Sequence, residues 1–185
     1  MVRKRAYPAI IAAALCLAAA AASPARHNEP RSAAPPIASP ARVAALQHDP
    51  QFILEAVAKR MGVTLRPDIS PPTIRLESRT VLARLQVAAE RQWGFRPGVF
   101  TTMYATAANE VYLIDDDALY GTYGGTPDDS LAHELVHYIQ AHYLGDRFTT
   151  DWSETEAIAV QTWFRGEYME SRLAAAKALQ PDGKH

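Results

Sequence analysis

The residues with the clearest chemical potential stand together in one short stretch, His133-Glu134-Leu135-Val136-His137. Two histidines four apart project from one face of a helix about one turn from each other, so their rings can converge on a single divalent ion such as zinc. At about 100° per residue, Glu134 falls some 60° around the helix from His137, beside such an ion and free to take a proton from a water held there. Leu131, Leu135, Val136 and Ile139 occupy the opposite arc and anchor the helix to a core. The approach is a helix start. Thr126 serves as cap, Pro127 takes the first helical position, and Asp129 closes a capping-box-like pair.

A catalytic zinc wants three protein ligands and an open position. The chain has one cysteine, Cys16, which excludes an internal disulfide and a multi-cysteine zinc site and leaves histidine and carboxylate as ligands. Downstream, the segment Trp152-Ser153-Glu154-Thr155-Glu156 offers two carboxylates. On a helical wheel Glu156 lies within the apolar arc of Ala159, Val160, Trp163 and Phe164, whereas Glu154 lies beside Gln161 and can face solvent. A carboxylate in an apolar arc needs a partner, so Glu156 is favoured as third ligand over Glu154. Ser153 with Glu156, or Asp151 with Glu154, could instead form a capping box at the start of that helix.

His133-Glu134-Leu135-Val136-His137, followed by 18 intervening residues and Glu156, resembles the gluzincin metallopeptidases. The spacing is similar to that of the aminopeptidase branch and one short of the thermolysin branch. The resemblance covers the stretch from Asn109 through the two helices. It implies a zincin-like domain holding one zinc ion by His133, His137 and Glu156, with Glu134 as general base and a peptide or protein as substrate. It also implies that a strand such as Asn109 to Leu113 borders the cleft and pairs with extended substrate. Two positions depart from the pattern. Val160 stands where the thermolysin branch has an Asp supporting a ligand histidine, and no motif marks the Tyr or His that stabilises the oxyanion. Tyr120, Tyr123 and Tyr168 are candidates for that role, although each also reads as a packing or surface aromatic. His142 falls among the apolar positions and reads as a non-ligand. The run Asp115-Asp116-Asp117 lacks the spacing of a calcium loop and reads as a solvated turn.

The elements that must position these residues follow from periodicity and punctuation. A helix opens at Asp49-Pro50 and ends near Gly62; a second runs from Arg79 to Trp93 and stops at Gly94. Strands are expected over Thr73 to Leu76 and over Asn109 to Ile114, with Val111 and Leu113 opposing Tyr112 and Ile114. A glycine-rich loop spans Asp115 to Gly125. Helices follow over Pro127 to Tyr143 and Ser153 to Tyr168, then a helical tail. The class is α+β, mainly helical with a short mixed or antiparallel sheet.

Ahead of this domain, expected over residues 49–180, the sequence changes character. Arg3, Lys4 and Arg5 precede a 14-residue apolar run from Ala9 to Ala22, then Ser23 and Pro24. This is the pattern of a secretory signal over residues 1–22, shorter than the roughly 20 residues of a spanning helix. Export to the periplasm or medium is expected, with no stable membrane span after cleavage; an uncleaved N-terminal anchor is the alternative. Leu15 before Cys16 does not suit lipidation. Residues 23–48 are rich in proline and alanine and read as a disordered linker. Removing the three basic residues of the signal and no acidic one takes the net charge from −1 to −4, which leaves no electrostatic footprint for nucleic acid. The functional expectation is a zinc-dependent peptidase. The rival is a non-catalytic zinc-binding or interaction domain that keeps the helix pair.

Overall fold

The computed structural model describes residues 46–145 and 150–169, with backbone alone over 150–152. The expected signal, most of the linker and the C-terminal tail lie outside the described residues. Helix α1, Pro50–Arg60, is opened by Asp49, whose side chain accepts from the Gln51 amide at 2.8 Å. Strand β1, Thr73–Leu76, leads through a 3-10 turn, Glu77–Arg79, to α2, Leu82–Trp93, which ends at Gly94 in the left-handed conformation. Strands β2, Met103–Ala105, and β3, Glu110–Leu113, follow. Helix α3 is Asp117–Tyr123, α4 is Pro127–Ile139, and α5 is Thr150–Phe164. The last two each continue into a π-helical turn, Gln140–Leu144 and Arg165–Met169.

The class is α+β, and the three-stranded sheet is mixed. Its order is β1-β3-β2, with β1 parallel to β3 and β2 antiparallel to it. Strand pleating sends alternate residues to opposite faces. Val111, Leu113 and Tyr104 join α1, α4 and α5 in the larger core cluster; Met103, Ala105 and Tyr112 join Leu85, Ala88 and Ala89 of α2 in the smaller one. The sheet is thus covered by helices on both sides. Among the described residues no helix is long and apolar enough to cross a membrane.

Four local expectations need correction. The second helix starts at Leu82, not Arg79, because Asp115 accepts from both the backbone amide and hydroxyl of Ser78 at 2.9 and 2.5 Å and holds that segment in its own turn. The acidic run is therefore no solvated turn. Asp115 is buried, and Asp116 caps a short helix that replaces the expected loop. Strand β2 was not foreseen; at three residues it is too short to show alternation. The final helix begins at Thr150, ahead of Ser153. Packing also begins before Asp49, since Gln47 and His48 already bond Asp128.

Glu110 ties the sheet to α2. Its carboxylate accepts from Arg75 at 2.8 Å, from Arg84 at 2.6 Å and from the Tyr112 hydroxyl at 2.8 Å. Burial alone would raise its pKa, but the bonds from Arg84, Arg75 and Tyr112 outweigh that and bring it from 4.5 down to about 2. A depressed carboxylate contributes stability that is fully present above the unfolded value and is lost as pH falls through the folded one. Urea midpoints measured from pH 4.5 down to 2 should therefore drop, and should drop less steeply in Glu110→Gln. Equal slopes would refute the assignment. In the larger core, Leu135→Ala should cost about 2–5 kcal/mol in urea unfolding, whereas Ile158→Ala, at a residue 55% exposed, should stay within about 0.5 kcal/mol.

Candidate metal centre

Helix α4 begins as the sequence predicts, with the Thr126 side chain accepting from the Asp129 amide at 3.2 Å and Pro127 in the first turn. Its first-turn carboxylates, Asp128 and Asp129, are fully buried. Asp128 accepts from the Gln47 and His48 amides at 2.9 and 2.8 Å and pairs with His48 Nδ1 at 2.8 Å. Asp129 accepts from Gln161 at 3.1 Å and Arg165 at 2.6 Å, both on or just beyond α5. Gly125 sits at φ +93°, a conformation strained for any L side chain, and a Cβ there would also crowd Arg165 Nη2 at 3.1 Å. Helices α4 and α5 pack antiparallel, so a clamp at Asp129 sets which α5 residues meet α4 further along.

Those residues include Glu154. His133 and His137 bring their Nε2 atoms to 3.2 Å from each other, and Glu154 places Oε2 3.4 Å from His133 and Oε1 3.3 Å from His137. One ligand atom from each residue lies within 4.8 Å of the others. Donors bound at about 2.0–2.1 Å to a tetrahedral zinc stand about 3.3 Å apart along each edge. The 3.2 Å between the two Nε2 atoms matches such an edge, and each histidine stands at a similar distance from a different oxygen of Glu154. Both imidazoles are mostly buried, while Glu154 is 43% exposed at the mouth.

Glu156, the expected third ligand, stands elsewhere. It accepts from Gln140 Nε2 at 3.1 Å, and Gln140 Oε1 lies 3.0 Å from His137 Nδ1. The physical reason is the register of α5. Ser153, Ala157, Val160 and Phe164 form its buried stripe, with Glu156 on one flank and Glu154, Gln161 and Arg165 on the other. The flank that reads as solvent-facing on a wheel is the one that meets Asp129 and the histidines. Since α5 is already helical at Thr150, Ser153 sits inside it and neither alternative capping box forms its start. With Glu154, 16 residues follow His137, two fewer than in the resemblance.

The Gln140 bridge was not read from the sequence. A carboxamide oxygen accepts only, so His137 Nδ1 donates to it, and in the neutral ring Nε2 is left as the nitrogen with the lone pair. Gln140 is fixed in turn by donating to the Ser153 carbonyl at 3.2 Å. It opens the π-helical turn, an irregularity frequent at functional sites.

Glu134 is buried behind the histidines, and burial raises its pKa, opposed in part by His137, His133 and the Tyr104 backbone amide. Glu154 is held well below the ordinary carboxylate range by its bonds to His133 and His137. Burial lowers the His137 pKa, but Glu154 and Glu134 outweigh it and the net shift is upward. The two carboxylates are thereby driven apart, one toward proton uptake and the other toward permanent charge.

No family model, curated protein or solved structure matches this chain.

The remaining candidates fall as follows. The Tyr120 hydroxyl donates to the Ile114 carbonyl at 2.9 Å, and burial pushes it up to about 12. Tyr123 is exposed on α3, and Tyr168 packs against His48, Phe52, Trp163 and Phe164. None is brought to the histidines by a contact in the structure. His142 is a non-ligand, its Nε2 2.7 Å from the Tyr104 hydroxyl. Strand β3 is paired on both edges, so it cannot receive an extended peptide; β2 is the edge strand on the Glu134 side.

Cobalt or zinc titrations of the full chain test the register directly. Glu154→Gln should weaken binding by at least tenfold, and Glu156→Gln should weaken it less, acting through Gln140. The reverse order would restore Glu156 as the ligand.

Proposed function

We propose that the chain is a zinc-dependent hydrolase of peptide bonds, with His133, His137 and Glu154 holding one zinc ion and Glu134 acting as general base. The observation that carries this reading is the pair of histidine Nε2 atoms, 3.2 Å apart, each facing one oxygen of the Glu154 carboxylate at 3.3 to 3.4 Å, with a buried carboxylate next in sequence to one of the histidines. A zinc ion bound there supplies Lewis acidity toward a scissile carbonyl and makes a nearby water more acidic. Glu134 takes the proton from the attacking water and returns it to the leaving amine. Its raised pKa suits both halves of that exchange. Gln140 holds His137 in the tautomer that leaves Nε2 free. The basic, apolar and small-residue order of residues 1–24 supports export, which would place the substrate outside the cytoplasm.

Replacing Glu134 by Gln keeps the shape and removes the base. That variant should retain metal affinity within a few fold and lose turnover on a fluorogenic peptide library by about 10²–10⁴-fold. Unchanged turnover would overturn the mechanism, and absence of metal binding in the parent chain would overturn the site.

A further inference from the structure

A cavity of about 470 Å³ lies between α2 and the β2–β3 hairpin. Its α2 wall is one helical stripe that includes Arg84, Arg91 and Gln92, and its floor includes Ala105, Ala108 and Tyr112. The small floor residues leave room, and the charges around that room do not balance. Glu110 is the one acidic group in the lining, and its oxygens are already taken by Arg75, Arg84 and the Tyr112 hydroxyl. Arg91 has no carboxylate partner among the described residues. The surrounding segment, residues 73–112, carries five arginines against three glutamates, in a chain whose formal net charge is −1. Within the lining itself Arg84 and Arg91 stand against Glu110 alone.

The cavity wall and Glu134, on opposite sides of the sheet, meet the same residue of its edge strand. Tyr104 on β2 turns its amide to Glu134, and its carbonyl accepts from Gln92 Nε2 at 2.9 Å. The Thr106 amide donates to Gln92 Oε1, also at 2.9 Å. Glu134 and the Gln92 carboxamide, part of the cavity wall, thus bond backbone groups of one edge-strand residue.

We infer that this cavity is a subsite for a peptide carboxylate, an acidic side chain of the bound substrate, gripped by Arg91. The guanidinium of Arg91 offers a planar fork of donors that suits a carboxylate, and the volume is within the range of small-ligand sites. The link to cleavage rests on the peptidase reading above; the binding itself does not.

The test therefore separates the two. A fluorescein-labelled peptide carrying one Glu, and its Gln counterpart, are bound to the full chain in EDTA and followed by fluorescence polarisation. The Glu peptide should bind about tenfold tighter, Arg91→Glu should abolish that preference, and Arg91→Lys should keep much of it. Arg91 is exposed, so circular dichroism of the variants should match the parent. Equal binding of the two peptides, or a preference that survives Arg91→Glu, overturns the subsite. With zinc restored, cleavage without acidic preference would also overturn it while leaving the peptidase reading intact. Acidic binding without any cleavage would overturn the peptidase reading and leave the subsite standing.

Discussion

The arrangement of this domain depends on two adjacent carboxylates buried in the first turn of α4. Acidic side chains are favoured there by the unpaired amides and partial positive charge of a helix N-terminus. Asp128 and Asp129 use that position to grip two different parts of the chain, the segment entering α1 and the far end of α5. Each is fully buried, so each needs its partners; a lone charge there would cost several kcal/mol. The apolar stripes of α1, α4 and α5 supply attraction with little directional preference. The carboxylates fix the sliding and rotation of one helix on another. One and two turns along α4, the same register brings Glu154 against the histidines.

This division explains why the cluster contains opposed electrostatic tendencies without collapsing. Two imidazoles and two carboxylates lie in one region, one carboxylate buried and one at the surface. Their positions are not set by mutual attraction alone. Gln140 locks His137 from behind, and helix packing locks the rest. A site held from outside in this way loses little freedom when a ligand arrives, which is the condition for tight and geometrically selective binding.

Much of this was legible from residue order, and the failures share a cause. The helix starts at Asp49 and Thr126, the stop at Gly94 and the alternation through Val111 and Leu113 are local signals, and the structure follows them. Histidines four apart on a capped helix are local too. The choice between Glu154 and Glu156 is not local. It turns on which flank of α5 meets α4, and that is decided by Asp129 finding Gln161 and Arg165 more than thirty residues away. A buried Asp at a helix start, with Gln161 and Arg165 four apart downstream, was the available clue. Asp115 misled in the same fashion, since its partner Ser78 is 37 residues distant and a run of three aspartates looks solvated when read alone.

The carboxamide of Gln92 has a consequence for self-association. It donates to one backbone carbonyl of β2 and accepts from the next outward amide, the pattern an incoming strand would present. Exposed strand edges invite pairing between copies of a chain, and proteins protect them by covering or charging them. Here a single side chain from α2 completes the hydrogen bonding of the strand, with Glu134 meeting the amide beside it. The sheet terminates within its own molecule, at three strands, and offers a second copy no vacant ladder on that side.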